Sequence, residues 1–146
     1  REFWFLPALE SLRLVLRQNL PLFASCWGIQ SLACALGGRV EARPEFAEYG
    51  SVRLLLTPAG QRDPLLQGLG GDAWVQAGHS ETVTPLPPGA QLLAACQFHA
   101  ELRAEDLNHR MEYYRLPPGS EGPRSSADQL GPRLLARFMA SLGEAG

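Results

Sequence analysis

Leu22-Phe23-Ala24-Ser25-Cys26-Trp27-Gly28-Ile29-Gln30 is the stretch whose reading decides the fold. Leu20 to Ser25 is a short apolar run that reads as a strand, and Trp27 to Leu36 reads as a helix closed by Gly37 and Gly38. A strand that turns sharply into a helix with a cysteine at the turn has the geometry of a nucleophile elbow. Backbone N–H groups and the dipole at the start of such a helix favour the thiolate, the form that attacks. A cysteine nucleophile also needs a base, so the chain must supply a histidine.

Outward from the elbow, the pattern alternates. Pro7 to Gln18 is predicted helical, with Leu9, Leu12, Val15 and Leu16 at 3- and 4-residue spacings and Glu10, Arg13 and Arg17 on the polar side. Pro7 suits a first helical turn. Arg39 to Ala42 and Ser51 to Leu56 read as strands, with Pro44 and Gly50 as breakers between them. Asp63 to Gly71 is turn-rich, Ala73 to Ala77 is a predicted strand, and Gln91 to His99 is extended. A helix is predicted from Glu105 to Tyr114, and Pro117 to Ser126 is a loop rich in Pro, Gly and Ser. The last helix is predicted over Pro132 to Leu142, with Leu134, Leu135, Phe138 and Leu142 on one face. There are no internal repeats. Strands alternating with helices predict a single α/β domain over residues 1–146 with a mainly parallel sheet.

Composition narrows the function classes. A chain of 146 residues, 45% hydrophobic, can bury a substantial core. Its net charge of −2 comes without a long run of either sign, which argues against a nucleic-acid or membrane-surface role. No apolar run reaches the ~18 residues of a membrane span, and no signal peptide is visible. Cys26, Cys34 and Cys96 are odd in number and widely spaced, unlike a secreted disulfide framework, so the expected compartment is reducing and cytoplasmic. Cys34, eight residues beyond Cys26 on the same predicted helix, reads as a core residue. Cys26, Cys34, Cys96, His79 and His99 lack the short paired spacings of a structural zinc site, so no metal or other cofactor is expected. Gly68 to Gly71 has no following Lys-Ser/Thr and makes a poor phosphate loop.

Three histidines are available to Cys26. His109 sits in a polar helical stretch and reads as a surface residue. His99 has Glu101 two residues on, and on a strand such residues share a face, so the carboxylate can fix the imidazole tautomer. Without the elbow upstream, the same pair would read as a strand-end histidine beside a solvated glutamate. His79 fits either a pocket wall or a loop-structural role.

These residues resemble a family. Ala24-Ser25-Cys26-Trp27-Gly28-Ile29-Gln30 is similar to the Gly-x-Cys-x-Gly-x-Gln motif of class I glutamine amidotransferases, and Gln97-Phe98-His99-Ala100-Glu101 resembles that family's Gln-Phe-His-Pro-Glu motif. Between them, Ala35-Leu36-Gly37-Gly38, Leu56-Thr57-Pro58-Ala59-Gly60, Asp63-Pro64-Leu65, Gly68-Leu69, Gly78-His79-Ser80-Glu81-Thr82-Val83 and Leu86-Pro87-Pro88-Gly89-Ala90 resemble, in order, segments of its GMP-synthase-like branch. The resemblance covers about Leu20 to Tyr114. It implies a flavodoxin-like three-layer α/β sandwich with a mainly parallel sheet.

The resemblance also implies roles. Cys26 is the expected nucleophile on a γ-glutamyl carbonyl, His99 the base and then the acid toward leaving ammonia, and Glu101 the group that orients His99. The Trp27 backbone N–H is an expected oxyanion donor. Gly28 is expected to let the helix pack closely behind the turn, Gln30 to hold the substrate's amino-acid end, and His79 and Ser80 to line the pocket. Several positions depart from the pattern. Ala24 stands for glycine, Trp27 is bulky, Ala100 stands for proline and Glu81 for aspartate. The family fold also opens with a strand–helix–strand region and a glycine-rich loop bearing a second oxyanion donor. A hairpin's worth of residues further separates its Leu-Leu-Ala segment from Gln-Phe-His. The sequence from Arg1 onward offers neither, so the expectation is that segments of the molecule lie outside these 146 residues, including the first strands of the sheet.

The expected function is a cysteine-dependent amidohydrolase that releases ammonia from L-glutamine through a γ-glutamyl thioester and delivers it to a synthase domain or subunit. A stand-alone γ-glutamyl peptidase would use the same triad on another leaving group. A non-catalytic binding relative is the third reading, supported by the missing glycine-rich loop.

Overall fold

Two helices flank the elbow, and both end in the same way. In the computed structural model, which describes residues 3–69, 73–95, 98–100 and 130–143, α1 spans Phe5–Arg17 and α2 spans Trp27–Ala35. Leu9 is buried on α1, while Leu12, Val15 and Leu16 are half-buried on the face predicted for them. After α1, Asn19 turns to φ +52°, and the amides of Asn19 and Leu20 return to the carbonyls of Leu16 and Val15. After α2, Gly37 turns to φ +84°, and the amides of Gly37 and Gly38 return to Cys34 and Ala33. Each is a Schellman closure, which satisfies carbonyls the helix end would otherwise leave bare. Arg13, read as a polar-face residue, crosses from α1 and donates from Nε to the Ala35 carbonyl at 3.1 Å, so it caps α2.

The strands form antiparallel pairs. β1 (Val40–Ala42) pairs with β5 (Glu81–Val83), β2 (Glu48–Arg53) with β4 (Trp74–His79), and β3 (Leu55–Leu56) with β6 (Ala94–Ala95). The first two pairs run on into one another as a ribbon, with Ala42 opposite Glu81 and Glu48 opposite His79. A 3₁₀ turn, Pro44–Phe46, takes up the extra residues on one side. Gly50, read as a breaker, lies inside β2 at φ +95°. Among the described residues no parallel pair is present, in contrast to the predicted parallel sheet. The physical reason is the connection. Parallel neighbours need a crossover of about a dozen or more residues, commonly a helix. Between β2 and β4, the described residues 54–69 hold β3 and the 3₁₀ turn Gly60–Arg62 and no α-helix. Residues 20–25, predicted as a strand, are assigned no ladder.

The core gathers on β4. Leu54, Val75, Leu130 and Leu134 are buried together, and Val52, Leu56, Leu66, Leu69, Ala73, Ala94 and Phe98 pack around them. Leu130 and Leu134 come from α3, which spans Leu130–Gly143, two residues earlier than predicted. The apolar face predicted for α3 is only partly used. Leu134 is buried and Phe138 lies against Phe23 with ring centroids 5.5 Å apart, but Leu135 and Leu142 are exposed. Cys34 is half-buried and not a core residue. The predicted helix from Glu105 to Tyr114, the loop from Pro117 to Ser126, and the residues Cys96, Glu101 and His109 lie outside the described residues.

Two local fits anchor this scaffold. Thr57 donates its amide to the Leu93 carbonyl at 2.9 Å and its hydroxyl to the Leu92 carbonyl at 2.8 Å, which docks residues 57–60 on the extended segment before β6. Where the two pairs of the ribbon meet, His79 is 7% exposed and its imidazole stands between two oxygens. Nε2 lies 2.8 Å from Glu48 Oε2 and Nδ1 lies 3.0 Å from the Glu81 carbonyl. Each ring nitrogen thus has an oxygen partner.

Two stability predictions follow from these fits. A Cβ at Gly60 overlaps the Leu93 carbonyl, whereas one at Gly78 meets nothing within 4 Å. Gly60→Ala is therefore expected to cost about 1–3 kcal/mol in urea unfolding, and Gly78→Ala much less; equal costs would contradict the packing described. Glu48→Ala leaves a buried imidazole nitrogen without its partner and is expected to lose about 1–3 kcal/mol. Glu48→Gln keeps an acceptor and should lose less, as measured in the same way.

Candidate active site

Cys26 adopts φ +46° and ψ −110°, a backbone conformation that side chains other than glycine rarely take. Strain of this kind costs roughly 1–3 kcal/mol and persists where surrounding contacts over-determine the turn. Those contacts are present. The Gly28 amide returns to the Ser25 carbonyl at 2.8 Å, and the Ile29 and Gln30 amides return to the Cys26 carbonyl at 3.0 and 3.4 Å. Cys26 thus sits at the N-cap of α2, half-buried, where helix amides and the dipole favour an anion. A Cβ on Gly28 would stand 3.4 Å from the Ala24 Cβ, so the alanine that departs from the family's glycine fits here at ordinary contact.

His99 lies 73 residues further along the chain and is brought to the elbow by backbone ties. Its amide donates to the Gln76 carbonyl in β4 at 2.8 Å. On either side of it, the Phe98 carbonyl accepts the Ser25 hydroxyl at 2.9 Å, and the Ala100 amide donates to the same hydroxyl at 3.3 Å. From the far side, Gly131 of α3 approaches so closely that an added Cβ would lie 2.6 Å from the Ala100 carbonyl oxygen. Ala100 itself is buried. The segment of residues 98–100 is therefore held by β4, by the elbow and by α3 together. Glu101, the expected partner of His99, lies outside the described residues.

The other residues singled out in the sequence divide into two places. Trp27, the first residue of α2, is 46% exposed and packs on Trp4, with ring centroids 5.4 Å apart at 60°. Gln30 is half-buried and donates from Nε2 to the Glu81 carbonyl at 3.4 Å. That carbonyl is also the partner of His79 Nδ1, so Gln30 and His79 converge on one backbone oxygen. Both ring nitrogens of the buried His79 are engaged at the β4–β5 corner. Ser80 is half-buried in that corner, and its carbonyl accepts the Arg43 amide at 3.3 Å. Sequence reasoning missed Ser25, Glu48 and Gln76. One signal for Ser25 was available. Alanine where the family pattern has proline adds an N–H, and a buried N–H needs an acceptor.

Among the described residues no group of three or more His, Cys, Asp and Glu is arranged to hold a metal ion. Among the same residues no helix is long and apolar enough to cross a membrane.

Comparison with known proteins bears on the whole arrangement. The chain is 47% identical over 76 residues to a glutamine-hydrolysing GMP synthase of Thermus thermophilus, a match covering 52% of this chain and 14% of that protein. It is 26% identical over 133 residues to the enzyme of the same name from Thermosipho melanesiensis, covering 89% of this chain and 23% of that protein. The chain thus spans less than a quarter of the length of these curated relatives. Among solved structures, it resembles a glutamine amidotransferase from Methylobacillus flagellatus with a TM-score of 0.74 at 20% identity, over 96% of this chain and 70% of that one. A glutamine amidotransferase from Thermotoga maritima gives 0.71 at 19% identity, over 93% and 68%. These likenesses are of fold, and they imply a flavodoxin-like α/β architecture. Residues 6–111, which carry the elbow, the ribbon and the His99 segment, match the model of the family described as glutamine amidotransferase class-I, and this chain belongs to that family.

Proposed function

We propose that this domain hydrolyses the side-chain amide of L-glutamine at Cys26 and supplies the ammonia to a synthase domain or subunit. The observation that carries the reading is the tie between the two halves of the site. The residue before Cys26 is hydrogen-bonded to the residues on both sides of His99. A nucleophile and a base from distant parts of the chain share one rigid junction, as acyl transfer requires. Family membership and the names of the curated relatives, glutamine-hydrolysing GMP synthases, support the substrate class.

In this reading His99 takes the Cys26 thiol proton, and the thiolate attacks the amide carbon to form a tetrahedral adduct. The Trp27 N–H, at the first position of α2, donates to the developing oxyanion. His99 gives a proton to the departing nitrogen, the C–N bond breaks, and ammonia leaves behind a γ-glutamyl thioester. A water molecule, deprotonated by His99, then cleaves the thioester to glutamate and free thiol. Glu101 holds the imidazole orientation through both steps. Gln30 helps hold the amino-acid end of the substrate, and Ser80 lines the pocket. His79 serves them indirectly, through the Glu81 carbonyl, and Gly28 admits the close turn. In the flavodoxin-like frame, residues 20–25 take the place of a strand in a mainly parallel sheet. The compartment of such chemistry is the cytoplasm, where the thiol stays reduced.

The test is turnover of L-glutamine by the complete protein, read as ammonia and glutamate, beside a panel of γ-glutamyl peptides. Cys26→Ser is expected to remove activity, and His99→Ala to lower kcat by about 10²–10⁴. Wild-type turnover that survives Cys26→Ser would sink the assignment, and turnover of γ-glutamyl peptides with none of glutamine would replace the substrate.

A further inference from the structure

The hydroxyl of Ser25 is placed where neither a strand contact nor a solvated side chain requires it. Ser25 is half-buried, and its Oγ serves as donor to the Phe98 carbonyl at 2.9 Å and acceptor from the Ala100 amide at 3.3 Å. Those two groups flank His99 in the chain, and Ser25 itself flanks Cys26. One side chain of two rotatable bonds thus joins the backbone on one side of the thiol to the backbone on both sides of the imidazole. Ala100 gives the contact its reason. Proline at this position has no N–H to satisfy and fixes its own φ, so a chain with proline needs no such acceptor. Alanine brings a buried N–H and a freer backbone, and Ser25 answers both.

We propose that Ser25 is a positioning residue that sets the placement of His99 relative to Cys26, substituting through its hydroxyl for the backbone restriction that proline would impose at residue 100. The proposal rests on the reading of Cys26 and His99 as nucleophile and base. Its energetic leverage is geometric. Misplacing a reacting group by about 1 Å can cost roughly a hundredfold in rate while leaving substrate binding intact.

The experiment compares Ser25→Ala, Ser25→Thr, Ala100→Pro and the double variant Ser25→Ala/Ala100→Pro in the complete protein. Three readouts are taken: kcat and KM for L-glutamine, the pH profile of Cys26 alkylation by iodoacetamide followed by mass spectrometry of the Cys26 peptide, and thermal melting. Ser25→Ala is expected to lower kcat by about tenfold or more with KM within about twofold, the signature of lost transition-state geometry. Its alkylation profile should move toward that of His99→Ala. Ser25→Thr, which keeps the hydroxyl, should recover most of kcat, and the double variant should exceed Ser25→Ala. Ser25→Ala with kcat and alkylation profile unchanged overturns the proposal, as does a double variant no better than Ser25→Ala. If Ser25→Ala melts below the assay temperature, Ser25→Thr decides. Activity near wild type supports the hydroxyl's role, and a tenfold loss with unchanged melting overturns it. A wild type that turns over no glutamine refutes the proposed function alone, because the alkylation profiles still report whether Ser25 couples His99 to Cys26.

Discussion

The backbone of Cys26 is held at φ +46°, and the rest of the site is arranged around that constraint. A cysteine has no intrinsic reason to adopt this conformation, so neighbouring contacts must enforce it. They come from three directions. The first turn of α2 takes up the carbonyls of Ser25 and Cys26, the bare Cα of Gly28 leaves room for the Ala24 methyl, and Ser25 is stitched to residues 98 and 100. Through Ser25, the same turn is tied to the backbone on both sides of His99. Strain and site assembly are therefore one problem with one structural solution.

The antiparallel ribbon of β1, β2, β4 and β5 is the platform for that solution. β4 presents the Gln76 carbonyl to the His99 amide, while the Gln76 side chain accepts the buried Ser51 hydroxyl at 2.9 Å from β2. Midway along the ribbon, Glu48 and His79 hold the Glu81 carbonyl toward Gln30 of α2. A single chain of hydrogen bonds therefore runs from the ribbon to the helix that begins at Cys26. Burial of a fully partnered imidazole gives that corner a defined geometry, because breaking any one contact would leave a buried polar atom without a partner.

The local features of the fold were legible in the sequence. Gly37-Gly38 marked the end of α2 and the Leu9, Leu12, Val15 and Leu16 spacing marked α1, because helix closure and amphipathic periodicity are short-range properties. The sharp turn at Cys26 and the helix after it were legible for the same reason: the cysteine, its glycine and the flanking apolar residues are contiguous. The sheet was not. Alternating predicted strands and helices suggested parallel pairing, whereas the strand pairs among the described residues are antiparallel, and which distant segments pair is not a local property. Gly50 misled in a related way. A glycine that breaks most strands sits inside β2, where only the pairing with β4 reveals that its positive φ is accommodated.

The sequence by itself determined the chemistry on offer at Cys26 and His99 and the helices near them, since those depend on residue type and spacing along the chain. Tertiary structure alone decided which groups hold those residues in place. Ser25 looked like an unconstrained position in a motif until its hydroxyl was found bridging residues 98 and 100. Arg13 looked like a solvated charge until it reached across to cap α2, and the partner of His79 on the facing strand, Glu48, is visible only in the fold. Each of these partners is separated by more than 20 residues in the chain, and pairings at that distance are set by packing and register, which no local pattern encodes.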